Sequence, residues 1–122
     1  MTATLAGKPT YSASIIARVD VPAYGSDVHV PFPVAGWALA PEGIKSVDIL
    51  FESGRVRVHA DLVDRGDVKA LYPWFPRVPR PGFQKLFDKR PKGVRSDTDM
   101  SIEVTDGAGR RLRLPDVMIH WR

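Results

Sequence analysis

The stretch from Lys45 to Leu62 leaves this chain the fewest choices. It reads KSVDILFESGRVRVHADL, two runs of alternating side chains separated by Ser53-Gly54. Along an extended chain successive side chains point to opposite faces, so Val47, Ile49 and Phe51 share one face. On the return, Val56, Val58, Ala60 and Leu62 do the same. A helix would scatter all seven around its circumference. The pattern predicts an antiparallel pair joined by a tight turn, with the apolar faces inward.

The rest of the chain follows the same two-residue period. Ser12 to Asp20 predicts a first strand, with Ala13, Ile15 and Ala17 on one face, broken by Pro22 and Gly25-Ser26-Asp27. His29, Pro31 and Pro33 mark an edge-like stretch, because proline has no N–H to give a ladder. Phe32 to Leu39 is the next strand, with Val34 and Gly36 on one face and Ala35, Trp37 and Leu39 on the other. Trp37 is expected in the core between two sheets, and Pro41-Glu42-Gly43 is expected to turn the chain.

Asp64 is placed to cap a short helix around 65–71, in which Val68 and Leu71 share a face. Tyr72-Pro73 ends it, and four prolines keep residues 73–81 extended. Gly82 to Phe87 predicts a strand, followed by a polar and basic loop from Asp88 to Asp97. Met100–Thr105 and Arg110–Leu114 predict a pair joined at Asp106–Gly109, with Ile102, Val104, Leu112 and Leu114 inward. Val117, Ile119 and Trp121 form a last strand or edge, Trp121 folding over an open edge of the core. Seven to nine strands at spacings of about 8–12 residues are the pattern of an all-β sandwich.

Eleven prolines and ten glycines among 122 residues suit many turns and short strands rather than long helices. The length suits one domain, read as a flexible lead-in over 1–11 and a sandwich over 12–122. No cysteine is present, so thiolate chemistry and disulfides are excluded. No apolar run approaches the roughly 18 residues that would span a bilayer. Met1 to Tyr11 lacks the basic start and apolar run of a secretory signal, so the expected address is cytoplasmic unless the chain is excised from a larger one.

The run VAGWALAPEGIKSVDILFESGRV, residues 34–56, resembles bacterial immunoglobulin-like modules with the pattern G-W-A-x-x-x-x-G-I-x-x-V-x-V. Those modules continue with R-P-D-V-x-x-x-Y-P and then a G-F strand, where this chain has Arg65 to Pro73 and Gly82-Phe83. Asp106-Gly107-Ala108-Gly109 matches their D-x-A-G hairpin. The resemblance covers about residues 30–110. The chain departs from it at Gly66, where proline is expected, at the Glu52-Ser53-Gly54 turn, where Asp-Gly is usual, and in the more basic segment from Lys85 to Arg95. It implies an immunoglobulin-like two-sheet β-sandwich of the accessory kind appended to glycosyltransferases, methyltransferases and other envelope-glycan enzymes, with no catalytic residue and no cofactor of its own.

Few residues point to chemistry. His29, His59 and His120 lie 30 and 61 residues apart, without metal-ligand spacing. Asp61, Asp64 and Asp67 offer oxygens at close intervals, as calcium requires, but Arg65 sits inside the cluster and no Asp/Asn-rich loop surrounds it, so helix capping and a surface ion pair are expected and no metal. No G-x-S-x-G elbow appears.

Two surfaces stand out. Tyr72, Trp74, Phe75, Arg77 and Arg80 lie on the proline-stiffened loop; such rings stack on sugars or anchor protein partners, and arginines supply forked donors. They serve equally to cover the open end of the core. Lys85, Lys89, Arg90, Lys92 and Arg95 form a basic loop suited to a polyanion. Residues 1–53 carry three Lys/Arg against five Asp/Glu, whereas 54–122 carry fifteen against nine. Nucleic acid is disfavoured, since no RNA-recognition or OB-fold signature accompanies the charge.

The expected function is a non-catalytic accessory or interaction module of a bacterial glycan-processing or cell-envelope system. The alternatives are a carbohydrate-binding module using the Tyr72–Arg80 loop and a polyanion binder using the basic loop. Unpaired sheet edges leave a homodimer open.

Overall fold

The alternating runs build two sheets packed face to face, an all-β sandwich. The structure, a computed structural model, describes residues 10–11, 14–21, 26–73 and 78–122. The strands are β1 (Thr10–Tyr11), β2 (Ile16–Val21), β3 (Ser26–Val28), β4 (Phe32–Leu39), β5 (Ile44–Phe51), β6 (Val56–His59) and β7 (Asp61–Val63). The helix α1 (Gly66–Leu71) follows, then β8 (Gly82–Phe87), β9 (Asp97–Asp106), β10 (Arg111–Arg113) and β11 (Val117–Trp121). One sheet runs β1-β2-β4-β8-β7 and the other β3-β11-β9-β5-β6, with β10 also on β9. The core of this order, β2-β4-β8-β7 against β5-β9-β11, is the immunoglobulin arrangement of strands A-B-E-D against C-F-G. The described strands number eleven rather than seven to nine, because several have only two to four residues.

The clearest sequence signal folds with a twist. Val56 to His59 pairs with β5 as expected. Asp61 to Val63 then pairs with β8 in the opposite sheet. Ala60 is the crossing point, and its N–H still donates to the Val47 carbonyl at 2.9 Å. Val56, Val58, Ala60 and Leu62 all pack against the main core, so the inward reading holds across the switch. The Pro41-Glu42-Gly43 turn likewise joins β4 to β5 across the two layers rather than within one.

The two tryptophans exchange their expected places. Trp121 lies inside the main core, edge-on to Phe32 at 5.2 Å and to Phe87 at 6.0 Å. Trp37 is buried too, but on the outer face of its sheet, with Leu39, Val68 and Val78. The strand period explains this: Val34, Ala38 and Ala40 face the main core, so Trp37 faces away. Gly36 shares the inward face, and a methyl there would sit 2.5 Å from the Phe83 ring and 2.2 Å from the Arg18 carbonyl. The large residue needed inside at this level comes from β8.

Pro33 lies in β4 beyond the reach of β2, whose pairing stops at Ala35, so only β8 flanks it. That accords with the edge-like reading of this stretch. The outermost strands, β1, β7, β3 and β6, hold two to four residues each, against eight to ten in β4, β5 and β9. Lys85, opposite Val34, points to the inner side where β8 runs past the end of β7. Short edges and an inward lysine both blunt strand addition.

Glu52 and Ser53 take left-handed backbone angles, φ 53° and 57°, in the β5–β6 turn. The Ser53 N–H compensates by donating to the Asp99 carboxylate at 3.0 Å. Glycine there would keep that bond without the Cβ penalty, offset by a more disordered unfolded chain. Ser53→Gly is therefore expected to hold stability or gain about 0.5 kcal/mol in urea denaturation, whereas Ser53→Val should lose about 1–2 kcal/mol.

Candidate functional site

Three connections meet at one end of the sandwich: the turn from β4 to β5, the tip between β9 and β10, and the segment from α1 to β8. The first is a β-turn, with the Gly43 N–H donating to the Ala40 carbonyl at 3.0 Å. The second is built on Asp106, whose fully buried carboxylate accepts from the N–H groups of Ala108 (3.0 Å) and Arg110 (2.8 Å) and from Arg110 Nε at 2.9 Å. Burial pushes this carboxyl up, but the donors from Arg110 and Ala108 outweigh it and hold it below the ordinary value.

The first two connections are joined. Gly107 N–H donates to the Gly43 carbonyl at 3.0 Å. A Cβ at Gly107 would lie 2.1 Å from the Glu42 carbonyl oxygen, so only glycine lets the two loops approach this closely.

The third connection covers the outer face of the β1-β2-β4-β8-β7 sheet. Val68 from α1 and Val78 pack on Trp37 and Leu39, and the Tyr72 ring lies 5.4 Å from the Trp37 ring at 40°. Asp64 does not cap the helix. Arg65 occupies the N-cap position with no side-chain cap, while Asp64 pairs with Lys69 at 2.8 Å. The Lys69 ammonium bonds to the Asp64 carboxyl and keeps it below its usual value. Arg65 instead ties the helix start to β2, bridging Asp67 and Asp20 at 2.8 Å each. That fork holds the Asp67 carboxyl down to about 2. Asp64 and Asp67 thus go to separate ion pairs, and no metal-holding cluster occurs among the described residues.

Between the β4–β5 turn and the chain entering β8 lies a cleft of about 520 Å³. Ile44, Leu62, Val78 and Pro79 line it with Gly43, and Glu42 and Arg80 supply one carboxylate and one guanidinium. Both charged residues are exposed. This lining suits holding an amphipathic segment: apolar contact below, one group of each sign at the mouth.

Of the aromatic loop residues singled out in the sequence, Arg80 lines the cleft and Tyr72 is half-buried against Trp37. Trp74, Phe75 and Arg77 lie outside the described residues. Tyr72 and Val78 cover the outer face of a sheet rather than the open end of the core. Glu42, Ile44 and Leu62 were not expected at a site. Glu42-Gly43-Ile44 reads as a turn, and Leu62 reaches it only because the chain changes sheets at Ala60.

A second polar group lies on the outer face of the other sheet. The buried Asp48 carboxylate bonds to Arg57 and to His59 Nδ1, and Arg57 reaches Glu103 at 2.9 Å. The bonds to Glu103 and Asp48 raise the Arg57 pKa further above its usual value. Register places His59, Asp48 and Glu103 in one row across β6, β5 and β9, and Arg57, opposite Leu50, reaches the two acids diagonally, so the four form a cross-strand ionic cluster. His59 points outward, as its strand position implies.

The basic loop residues divide. Arg95 is tied to Glu52 at 2.9 Å, and Lys85 stands at the sheet edge. Lys89, Arg90 and Lys92 are exposed. The bond from Thr98 and those from Arg95 hold the Glu52 carboxyl below its ordinary value. No family model matches the chain, and no curated protein matches it either.

Proposed function

We propose that this protein is a non-catalytic immunoglobulin-like interaction module, serving as an accessory unit in a bacterial glycan-processing or cell-envelope system. The sequence resemblance supplies the system. The observation that carries the binding role is the cleft framed by the Pro41–Gly43 turn and residues 78–80, with apolar walls and the Glu42/Arg80 pair. Loops at one end of a rigid sandwich are where such folds place recognition, because the sheets fix the loops while loop sequence stays free. The lining groups suit holding a ligand: one acid and one base among aliphatic walls.

An amphipathic peptide segment of a partner is the occupant this lining fits best. Amide chemical-shift mapping tests it, titrating short peptides that carry aliphatic residues flanked by one acid and one base. Shifts confined to Gly43, Ile44, Val78 and Arg80, abolished by the exposed double reversal Glu42→Lys/Arg80→Glu, are expected. Shifts at those amides with neutral oligosaccharides instead would turn the site into a carbohydrate-binding one. No response to either panel would reject it as a binding site.

A further inference from the structure

At the end of the sandwich opposite the cleft, the loop from β8 to β9 carries cations that the fold leaves unmatched. The loop is anchored. Val94 is buried in the main core, its N–H donates to the Pro91 carbonyl at 3.1 Å, and the Ser96 carbonyl accepts from the Trp121 N–H at 2.7 Å. Arg95 N–H and Nε both bond to Glu52, which fastens the loop to the β5–β6 turn. A Cβ at Gly93 would touch Val56 at 3.6 Å, so the loop lies alongside the start of β6, next to Arg55.

Arg55, Lys89, Arg90 and Lys92 are exposed and have no ion pair among the described residues. Elsewhere most described cations are paired: Arg18, Arg57, Arg65, Lys69, Arg110, Arg113 and Arg122 each meet a carboxylate within 4 Å, whereas Lys45, Arg80, Lys85 and Arg111 do not. The acids near this end are mostly engaged. Glu52 holds Arg95, Asp97 holds His120, Asp27 holds Arg122, and Asp99 accepts from Ser53; Asp88 is left without an ion pair. Like charges held together on an anchored loop raise the local potential, and an anionic polymer relieves it.

We infer that this end is a second binding surface, reading an acidic polysaccharide through charge. Base stacking needs open rings, and the described aromatics here (Phe32, Phe51, Phe87 and Trp121) are all buried in the core. That argues for a carboxylated, sulfated or phosphorylated glycan over single-stranded nucleic acid. The surface is independent of the cleft, so either assignment stands if the other fails.

The test uses the whole chain and a size-defined heparin fragment as probe, with affinity measured across a salt series. Lys89→Gln/Lys92→Gln should weaken binding roughly tenfold at low salt and lower the slope of log affinity against log salt by about one to two. Lys45→Gln/Arg111→Gln removes the same charge from exposed, unpaired positions elsewhere and should change affinity less than twofold. Equal losses in the two doubles, or no binding by the parent chain, would overturn the proposal. So would tighter binding to a single-stranded RNA of matched charge than to heparin at the same salt.

Discussion

Trp121→Ala is expected to remove about 3–5 kcal/mol of folding stability, a large share of the roughly 5–15 kcal/mol that holds a domain folded. The indole is the meeting point of the core aromatics: Phe32 and Phe87 meet it edge-on, and Phe51 lies 6.1 Å away. The indole N–H, however, is buried with no hydrogen-bond partner among the described residues. An unsatisfied buried donor costs about 1–3 kcal/mol, so Trp121→Phe trades a smaller ring against relief of that cost. Its net loss should be no more than about 1–2 kcal/mol. Equilibrium urea unfolding of the two variants checks the contrast; equal losses would show that a phenyl ring recovers none of what the indole contributes.

Asp106→Ala is the second large effect, about 2–4 kcal/mol, because it strands the N–H groups of Ala108 and Arg110 and frees the Arg110 guanidinium. The damage should spread to the cleft, since the tip carries Gly107 and Gly107 holds Gly43. Asp106→Asn keeps an acceptor for both N–H groups but loses the charge and turns an amide donor toward Arg110 Nε, costing about 1–2 kcal/mol near neutral pH. The sign of the pH dependence separates the charge from the shape. The folded carboxyl titrates below its ordinary 3.8, so its contribution is complete above that value and fades as pH falls through the folded one. The gap between parent and Asp106→Asn should therefore be constant above about pH 5 and narrow as pH falls through 3.8 and below. Asp67, Asp97 and Glu52 are also held low, but both proteins share them and they cancel in the difference.

The layered β build and most inward positions were legible in the sequence, because alternation reports faces directly. Val47, Ile49, Phe51, Ile102, Val104, Leu112 and Leu114 all lie where their period puts them. Alternation does not say which face is the core. Trp37 sits on the face opposite Val34, and only the helix and Val78 folding over it make that face dry. A tryptophan at the last-but-one position of this sequence gives no sign of being central; its place follows from the pairing of β11 with β9. The cleft was half visible. Arg80 and the loop were singled out, but Leu62 and Glu42 meet there through sheet order, which no local pattern encodes. The loop cations were visible as a run, and only coordinates separate Arg95, which is neutralised, from its neighbours.

The passage of one extended run through both layers at Ala60 has a mechanical meaning. Residues 56–63 act as a stitch: sliding one layer over the other would drag the same few peptide units in two directions at once. The layers are therefore obliged to part together or remain closed. A domain hung from a larger assembly and tugged at its ends gains from such a seam, since strain meets a block rather than two separable leaves.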